Sequence, residues 1–253
     1  IHRLQGSHLA EELLAKPATS RSEVVEILPH AASAASELTL AYYESKYMVV
    51  IAQARLGSEG GWSLTPIETI RMATSIARGD VDGDGVADLI VGRVYGDDAD
   101  QDGDAFVRRP DGTRVPIPIT GGVRALALAD LDGDGRNEVL VADGWHKNYG
   151  KQARALLTRA WWDGSGFQSE LVEDSSGQYE LGRILVADLD GNAQPEIVTQ
   201  GNAFVRLLSR RAGRCSGATI ASGCRDVALT PLGDQSKPTL VAICGDGATI
   251  LRP

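Results

Sequence analysis

The sequence is short of several features that mark large classes of protein. No apolar run approaches the length of a membrane-spanning helix, so we predict no membrane span. The 25 Lys and Arg residues are outnumbered by 34 Asp and Glu, and the arginines at 210, 211 and 214 are too few to form a basic stripe. This composition argues against nucleic acid as a partner.

Motifs of catalysis are also missing from the sequence. There is no glycine-rich phosphate loop, no Gly-x-Ser-x-Gly elbow and no His-Glu-x-x-His segment. The four histidines, at positions 2, 8, 30 and 146, show no spacing typical of metal ligands. We therefore expect a protein that is not an enzyme.

Cysteine is scarce, with three residues in 253. Cys215 and Cys224 flank a short segment of Ser, Gly and Ala that can form a hairpin, so this pair is the candidate disulfide. Cys244 is then left over. So small and odd a number of cysteines is a weak guide to the redox compartment.

What the sequence does contain is an acidic loop between two apolar runs. Side-chain oxygens fall at positions one, three, five and nine of the loop, which are Asp130, Asp132, Asp134 and Glu138. Calcium requires six to eight oxygen ligands at about 2.3–2.6 Å, and a tightly curled loop can supply them. Gly135 at position six permits the sharp turn, and Arg136 at position seven offers its backbone carbonyl.

The same spacing occurs twice more, and this repetition strengthens the evidence for bound cations. The first copy has Asp80, Asp82, Asp84 and Asp88, and the third has Asp188, Asp190, Asn192 and Glu196. Three bound divalent cations would offset much of the formal charge of −9. The alternative is that the loops are solvated Asp/Gly turns that bind no ion. This alternative would be reasonable for one such loop, but it is less so for three loops with the same spacing. The EF-hand fails, because position twelve is Val91, Val141 or Thr199 rather than Glu and the flanks resemble strands.

Two degenerate copies extend the repeat toward both ends of the chain. Position one falls at residues 29, 80, 130, 188 and 230, at intervals of 51, 50, 58 and 42 residues, and the first and last copies have lost nearly all the ligands. A period near fifty with several short strands per repeat is typical of a β-propeller blade. In the third unit we predict strands at Val123–Ala129, Val139–Asp143, Ala153–Trp161 and Gly166–Val172.

The sequence therefore predicts an all-β fold, a β-propeller of about five four-stranded blades in a single domain over residues 1–253. The repeat units span approximately 22–70, 71–121, 122–177, 178–222 and 223–253, the last completed by 1–21. In this interpretation an N-terminal strand near His8–Leu14 completes the last blade and closes the ring. The alternatives are a short helix over 8–15 and a chain that forms part of a larger propeller.

The three intact loops resemble the FG-GAP/VCBS repeat family, the calcium-loop propellers that include the integrin α-subunit head. The matching segments are Gly79–Gly92, Ala129–Ala142 and Ala187–Gly201. The resemblance implies calcium bound between the first and second strands of a blade, by the side chains above and by the carbonyls of Val86, Arg136 and Gln194. Because the third loop has Asn192 and Ala193 where the others have Asp and Gly, we expect two strong calcium sites and one weaker one.

Two further clusters leave alternatives open. Trp145, His146 and Tyr149, with the tryptophans at 161 and 162, are candidate ligand-binding residues that could stack on a sugar or a partner chain, or could pack between blades. The aspartates from Asp97 to Asp104 could hold another cation or form a solvated loop.

The family resemblance and the loops together predict the function. We expect a calcium-stabilised, non-catalytic module that is secreted, periplasmic or at the cell surface. It would bind a protein or a glycan, as one part of a larger, multi-subunit assembly. The alternatives are a carbohydrate-binding propeller (a lectin) and a polysaccharide lyase.

Overall fold

The structure is a computed structural model, and all of its regular secondary structure is β. It describes residues 2–5, 8–11, 24–29, 37–58, 60–97, 102–144, 155–176, 181–201, 204–211, 214–231, 238–245 and 247–251. Within these ranges the chain forms 21 strands and no helix, which confirms the predicted all-β class. None of the described segments is a helix with the length and hydropathy needed to cross a bilayer.

The chain divides into two compact units, and the first is Ile1–Ala73. A two-stranded sheet pairs β1 with β2, and a four-stranded antiparallel sheet has the order β3-β4-β5-β6. Val49, Ile51 and Ala52 of β5 are fully buried. The strands of this unit are β1 (His2–Gln5), β2 (His8–Glu11), β3 (Val24–Pro29), β4 (Glu37–Tyr43), β5 (Met48–Leu56) and β6 (Trp62–Arg71).

The second unit, Thr74–Pro253, contains four further antiparallel sheets. Three have four strands each, in the orders β10-β9-β8-β7, β11-β12-β13-β14 and β15-β16-β17-β18, and the fourth has the order β19-β20-β21. Their strands are β7 (Ala73–Gly79), β8 (Asp88–Arg93), β9 (Ala105–Arg108), β10 (Arg114–Ile117), β11 (Val123–Ala129), β12 (Glu138–Gly144), β13 (Ala155–Trp162), β14 (Phe167–Asp174), β15 (Leu181–Ala187), β16 (Glu196–Gly201), β17 (Phe204–Arg211), β18 (Arg214–Ser222), β19 (Cys224–Pro231), β20 (Pro238–Cys244) and β21 (Gly247–Leu251).

Three hydrophobic clusters join the four sheets of this unit in chain order. The cluster around Ile90 and Val141 draws residues from the sheets β7–β10 and β11–β14. The cluster around Leu140 and Ile197 joins the second sheet to the third, and the cluster around Val198 and Leu240 joins the third to the last. The strand β12 packs on both faces, with Val139 and Val141 in the first cluster and Leu140 and Ala142 in the second. It is therefore a continuous apolar run rather than an alternating one.

The observed strands follow the predicted repeat closely. In the third unit, β11 has the predicted bounds, and β12 to β14 differ from the predicted strands by one or two residues at each end. Four-stranded sheets at this period are consistent with propeller blades. The number of blades, the closure of a ring and the single domain over 1–253 stay predictions.

The N-terminal segment is partly as expected. Residues His8–Glu11 form a strand, which excludes the alternative of a helix there, but this strand pairs with β1. Among the described residues the last sheet has three strands. The proposed completion of that sheet by the N-terminal strand therefore stays untested, and residues 12–14 lie outside the described part of the chain.

The disulfide prediction was wrong. The bond joins Cys224 to Cys244, not Cys215 to Cys224. Cys224 and Cys244 are register partners across β19 and β20, whereas Cys215 lies on β18 opposite Arg210 of β17. Sequence proximity favoured the wrong pair, because the ladder between β19 and β20 brings together residues 20 positions apart.

Candidate metal centres

Three groups of carboxylates in the second unit are arranged to hold one cation each. In each group the ligand atoms of positions one, three and nine lie within 4.8 Å of one another. Oxygens on opposite sides of a calcium ion at about 2.3–2.6 Å are separated by a similar distance. The groups are Asp80, Asp82 and Asp88; Asp130, Asp132 and Glu138; and Asp188, Asp190 and Glu196.

The carboxylate at position one organises the backbone of each loop. Asp80 accepts hydrogen bonds from the N–H groups of Gly83 (2.7 Å) and Gly85 (2.9 Å). Asp130 and Asp188 accept equivalent bonds from positions four, five and six of their own loops, at 2.6–3.1 Å. These bonds curl the chain around the position-one carboxylate, which lies in one group with the carboxylates of positions three and nine.

The acid at position nine is the first residue of a strand and is buried. Asp88, Glu138 and Glu196 are 2%, 3% and 5% exposed. The backbone N–H of position two donates to the acid, from Leu131 to Glu138 at 2.6 Å and from Leu189 to Glu196 at 2.9 Å. Each loop is thus pinned at both ends, by position one and by position nine.

The first loop shows the clearest need for a cation. Burial raises the pKa of Asp88 to about 6, and the neighbouring Asp82 and Asp84 add to this, against the lowering effect of the Val81 N–H and Arg109. The buried Oδ2 atom of Asp88 has no hydrogen-bond partner among the described residues. A buried carboxylate oxygen without a partner is costly, and a divalent cation among these acids would satisfy it. The residues of this loop therefore fit a hard cation with oxygen ligands.

Two arginines, Arg109 just after β9 and Arg159 in β13, stabilise the acids at position three. Arg109 donates to Asp82 at 2.9 Å in the first loop. In the second loop, Arg159 donates to Asp132 at 2.6 Å and to Glu138 at 2.8 Å. Burial raises the pKa of Glu138, against the lowering effect of the Arg159 hydrogen bond. The second loop therefore carries a partial internal counter-charge beside its acids.

Positions five and seven stand apart from the grouped acids. The position-five side chain accepts a hydrogen bond from the N–H of position seven, from Val86 to Asp84 and from Arg136 to Asp134 at 2.7 and 2.8 Å. Arg136 also forms a salt bridge with Asp134 and lowers the pKa of that carboxyl. Arg136 was expected to contribute only its backbone carbonyl, but its side chain also makes contacts within the loop.

The third loop keeps the same hydrogen-bond pattern with poorer residues. Ala193 at position six adopts a φ of 65°, the left-handed conformation that glycine adopts at Gly85 and Gly135. At position five, Asn192 accepts from the Gln194 N–H at 2.7 Å and donates to Asp190 at 3.0 Å. The amide is neutral where the other two loops have a carboxylate, and the weaker binding expected from Asn192 stays a prediction.

The other sequence candidates lie partly outside this region. Trp145, His146 and Tyr149 fall outside the described residues. Trp162 is half-buried and packs edge-to-face against Phe167, with 5.3 Å between ring centroids, which favours the packing interpretation for this residue.

In the acidic loop after β8, Arg93 is paired with two of the aspartates. It donates to Asp97 at 2.7 Å and to both oxygens of Asp104. These two acids thus have a counter-charge in Arg93 and are not among the grouped acids of the described residues. Residues 98–101 lie outside the described part.

Comparison with known proteins identifies the repeats. A family model described as FG-GAP-like repeat matches the chain twice, at residues 80–141 and 130–199. Residues 80–199 are FG-GAP-like repeats. The two matches begin at Asp80 and Asp130, position one of the first and second loops, and they confirm the resemblance read from the acidic spacing. No curated protein matches the sequence.

Solved structures add little to the FG-GAP assignment. One, "Apo ctPRC2 in an autoinhibited state", is 10% identical with a TM-score of 0.41, over 100% of this chain and 72% of that chain. Another, a crystal structure of the Chaetomium thermophilum polycomb repressive complex 2, is 11% identical with a TM-score of 0.36, over 96% and 69%. Both TM-scores are too low to carry an argument about fold or function.

Sequence reasoning missed the two arginines that hold position three of the FG-GAP loops. A signal for them exists, because each arginine follows its aspartate by 27 residues, Arg109 after Asp82 and Arg159 after Asp132. At the same spacing after Asp190 the third repeat has Gly217. The offset of 27 residues, shared by the first two repeats, thus marks arginine partners that lie outside the nine-residue loop motif.

Proposed function

We propose that this protein is a calcium-stabilised, non-catalytic β-propeller module that binds a protein partner outside the cytoplasm. The proposal rests on one observation above the others: the buried Oδ2 atom of Asp88, without a partner, in a carboxylate grouped with Asp80 and Asp82. A cation would supply the partner that no described residue provides for that oxygen, since Arg109 lowers the pKa of Asp88 but does not donate to Oδ2.

The chemistry of the donor set supports calcium. The proposed ligands are all oxygens, which favours a hard cation over zinc or copper. Calcium accepts six to eight oxygens in flexible geometry, whereas magnesium demands a near-ideal octahedron at about 2.0–2.1 Å. The position-seven carbonyls of Val86, Arg136 and Gln194 would complete the sets, as the FG-GAP resemblance implies.

Within each loop the chain's own residues perform the binding. The amides of positions four and six orient the position-one carboxylate in every loop, and the position-two amide orients the acid at position nine. The bound ion supplies positive charge that offsets repulsion between the acids. Because the acid at position nine starts the second strand of its sheet, an ion held there ties the loop to the ladder.

The binding role is supported by the repeat family and by the sequence. FG-GAP-like repeats suggest a propeller-type binding module, and catalytic motifs are missing from the sequence. A disulfide between Cys224 and Cys244 suits an oxidising compartment such as the extracellular space or periplasm. Calcium sites of extracellular modules have dissociation constants of about 10⁻⁴–10⁻³ M, which suits a compartment where calcium is abundant.

Removal of calcium tests the proposal directly. We expect the melting temperature to rise with calcium and to fall in excess EGTA, because an ion that binds only the folded state stabilises it. The measurement is differential scanning calorimetry in excess EGTA and at about 2 mM calcium, which exceeds the dissociation constants of about 10⁻⁴–10⁻³ M typical of extracellular modules. Asp88→Asn is the matched control, since it keeps the side-chain volume and should show a smaller calcium-dependent shift.

An unchanged melting curve in EGTA for the wild-type protein would contradict the metal sites. A glycan array and a lyase assay on acidic polysaccharides test the binding role separately. Specific glycan binding or polysaccharide cleavage would replace the protein-binding proposal without affecting the calcium sites.

A further inference from the structure

The first and second acidic loops are in direct contact through Asn137. This residue is at position eight of the second loop, between Arg136 and Glu138. Its backbone N–H and its side-chain Nδ2 both donate to the carbonyl oxygen of Asp80, each at 3.2 Å. Asp80 is position one of the first loop, so a residue of one loop holds the backbone of the residue that organises the other.

A second contact lies beside the first. A Cβ atom added at Gly83 would be 2.8 Å from Cδ of Arg136, so the Arg136 side chain covers the backbone of the first loop at that point. Gly79, which leads into the first loop, also lies close to Asn137, with Nδ2 3.1 Å from an added Cβ; the nearest atom there is Cδ1 of Leu128, at 2.8 Å. Positions seven and eight of the second loop therefore pack against the first loop along several residues.

We propose that Asn137 is a positioning residue for the first calcium site and couples it to the second, so that calcium binding at the two loops is positively cooperative. The inference rests on the proposed calcium binding. An ion in the second loop would be held by the carbonyl of Arg136 and the carboxylate of Glu138. It thereby fixes the segment that contains Asn137, which in turn fixes the backbone of Asp80.

The energetic basis is the ordering of the loops. Binding at one loop orders residues that the other loop also needs in place, so the second ion meets less entropic cost. Such coupling is reciprocal: if the second site strengthens the first, the first strengthens the second by the same factor.

The third loop provides an internal contrast. Its position eight is Pro195, which has neither a backbone N–H nor a side-chain amide to donate. The contact that Asn137 makes with the first loop therefore has no equivalent from Pro195 to the second loop. The inference is specific to the first pair of sites, and the third site should bind independently.

Site-resolved calcium titration tests the coupling. The amides of Gly85 and Gly135 each donate to the position-one carboxylate of their own loop at 2.9 Å. Their ¹H–¹⁵N resonances in the full chain, titrated with calcium chloride, report the two sites separately. The second loop is inactivated by the isosteric pair Asp132→Asn and Asp134→Asn, and the control inactivates the third loop by Asp188→Asn and Asp190→Asn.

We expect inactivation of the second loop to weaken calcium binding at Gly85 about five-fold or more, and inactivation of the third loop to leave it unchanged. In an Asn137→Pro background, which copies the residue of the third loop, inactivation of the second loop should have no further effect at Gly85. Asn137→Ala keeps the backbone donor and should give an intermediate coupling, and it serves if the proline variant does not fold. A merely structural role for Asn137 would lower stability without removing the coupling.

Two results would overturn the inference and are distinguishable from each other. If both loops bind calcium and inactivation of the second loop leaves the calcium affinity reported by Gly85 unchanged, the proposed coupling is wrong and the proposed function stands. If neither amide responds to calcium, the proposed calcium binding fails and the coupling fails with it.

Discussion

At the scale of single residues, position six of the acidic loops shows how closely the backbone limits the sequence. Gly85 and Gly135 have φ values of 81° and 88°, and Ala193 adopts 65° at the same position. A left-handed conformation brings Cβ of an L-residue close to the following carbonyl, at a cost of about 1–2 kcal/mol. The third loop tolerates this cost because the hydrogen bonds to Asp188 hold its shape.

Replacement of Ala193 by glycine should therefore stabilise the protein. We expect Ala193→Gly to raise the free energy of unfolding by about 1 kcal/mol, because it removes the left-handed strain, less the extra entropy of glycine in the unfolded chain. Urea denaturation in EGTA measures this without a contribution from calcium.

The matched control is the converse change at Gly135, where an added Cβ would meet no atom within 4 Å. Gly135→Ala should lower the free energy of unfolding by a similar amount, since only the backbone conformation is affected. A stability unchanged by either variant would contradict the assignment of strain to position six.

At the scale of strands and sheets, the last sheet depends on a covalent bond that the other sheets lack within the described residues. Cys224 is fully buried and is joined to Cys244 across β19 and β20. The exposed side chains Ile243 and Ile250, at 48% and 49%, lie in the same sheet. The disulfide therefore stabilises an element with less apolar burial than the middle sheets.

Loss of this disulfide should destabilise the protein measurably. We expect the double variant Cys224→Ala with Cys244→Ala to lose about 3 kcal/mol, the typical contribution of a disulfide that closes a loop of this size. Cys215→Ser is the control and should leave the stability nearly unchanged. Thiol labelling of the unreduced, denatured chain should modify Cys215 alone, and modification of Cys224 or Cys244 would contradict the pairing.

The sequence predicts the strands well, but it predicts the contacts between strands poorly. The apolar run Val139–Ala142 after an acidic loop indicates a buried strand, and β12 is found there. The disulfide was not predictable, because it depends on the register of β19 against β20 rather than on sequence distance. Arg159 and Asn137 escaped prediction for the same reason, since each contacts residues brought near by sheet pairing or sheet packing.

At the scale of the whole chain, all three acidic groups of the described residues lie in the unit Thr74–Pro253. The first repeat keeps the strands β3 and β4, but the residue at position one is Pro29, and positions three and five, Ala31 and Ser33, lie outside the described residues. The loss of the ligands from the first repeat was read from the sequence, whereas the division of the chain into two units was not predicted. Calcium should therefore act on one unit of the protein directly.

Hydrogen exchange should show this difference between the units. We expect EGTA to increase amide exchange in the second unit, in the loops 80–88, 130–138 and 188–196 and the strands that flank them, because an ion bound to the folded state suppresses local opening. Exchange in β4 and β5 of the first unit should change little. The measurement is exchange followed by mass spectrometry of peptides, and an equal increase in both units would contradict the prediction.

The acid at position nine is also paired with a residue of the preceding strand, and this pairing restricts how the loops can change in length. Glu138 pairs with Ala129 and Glu196 pairs with Ala187, the residue just before position one in each case. Alternate residues of a strand face opposite sides of the sheet. One residue inserted into the loop would therefore either separate the acid from its register partner or move every side chain of the following strand to the opposite face. The length of these loops is thus limited by two requirements, the geometry of the proposed cation and the packing of the sheet, so we expect insertions to be tolerated only in other turns.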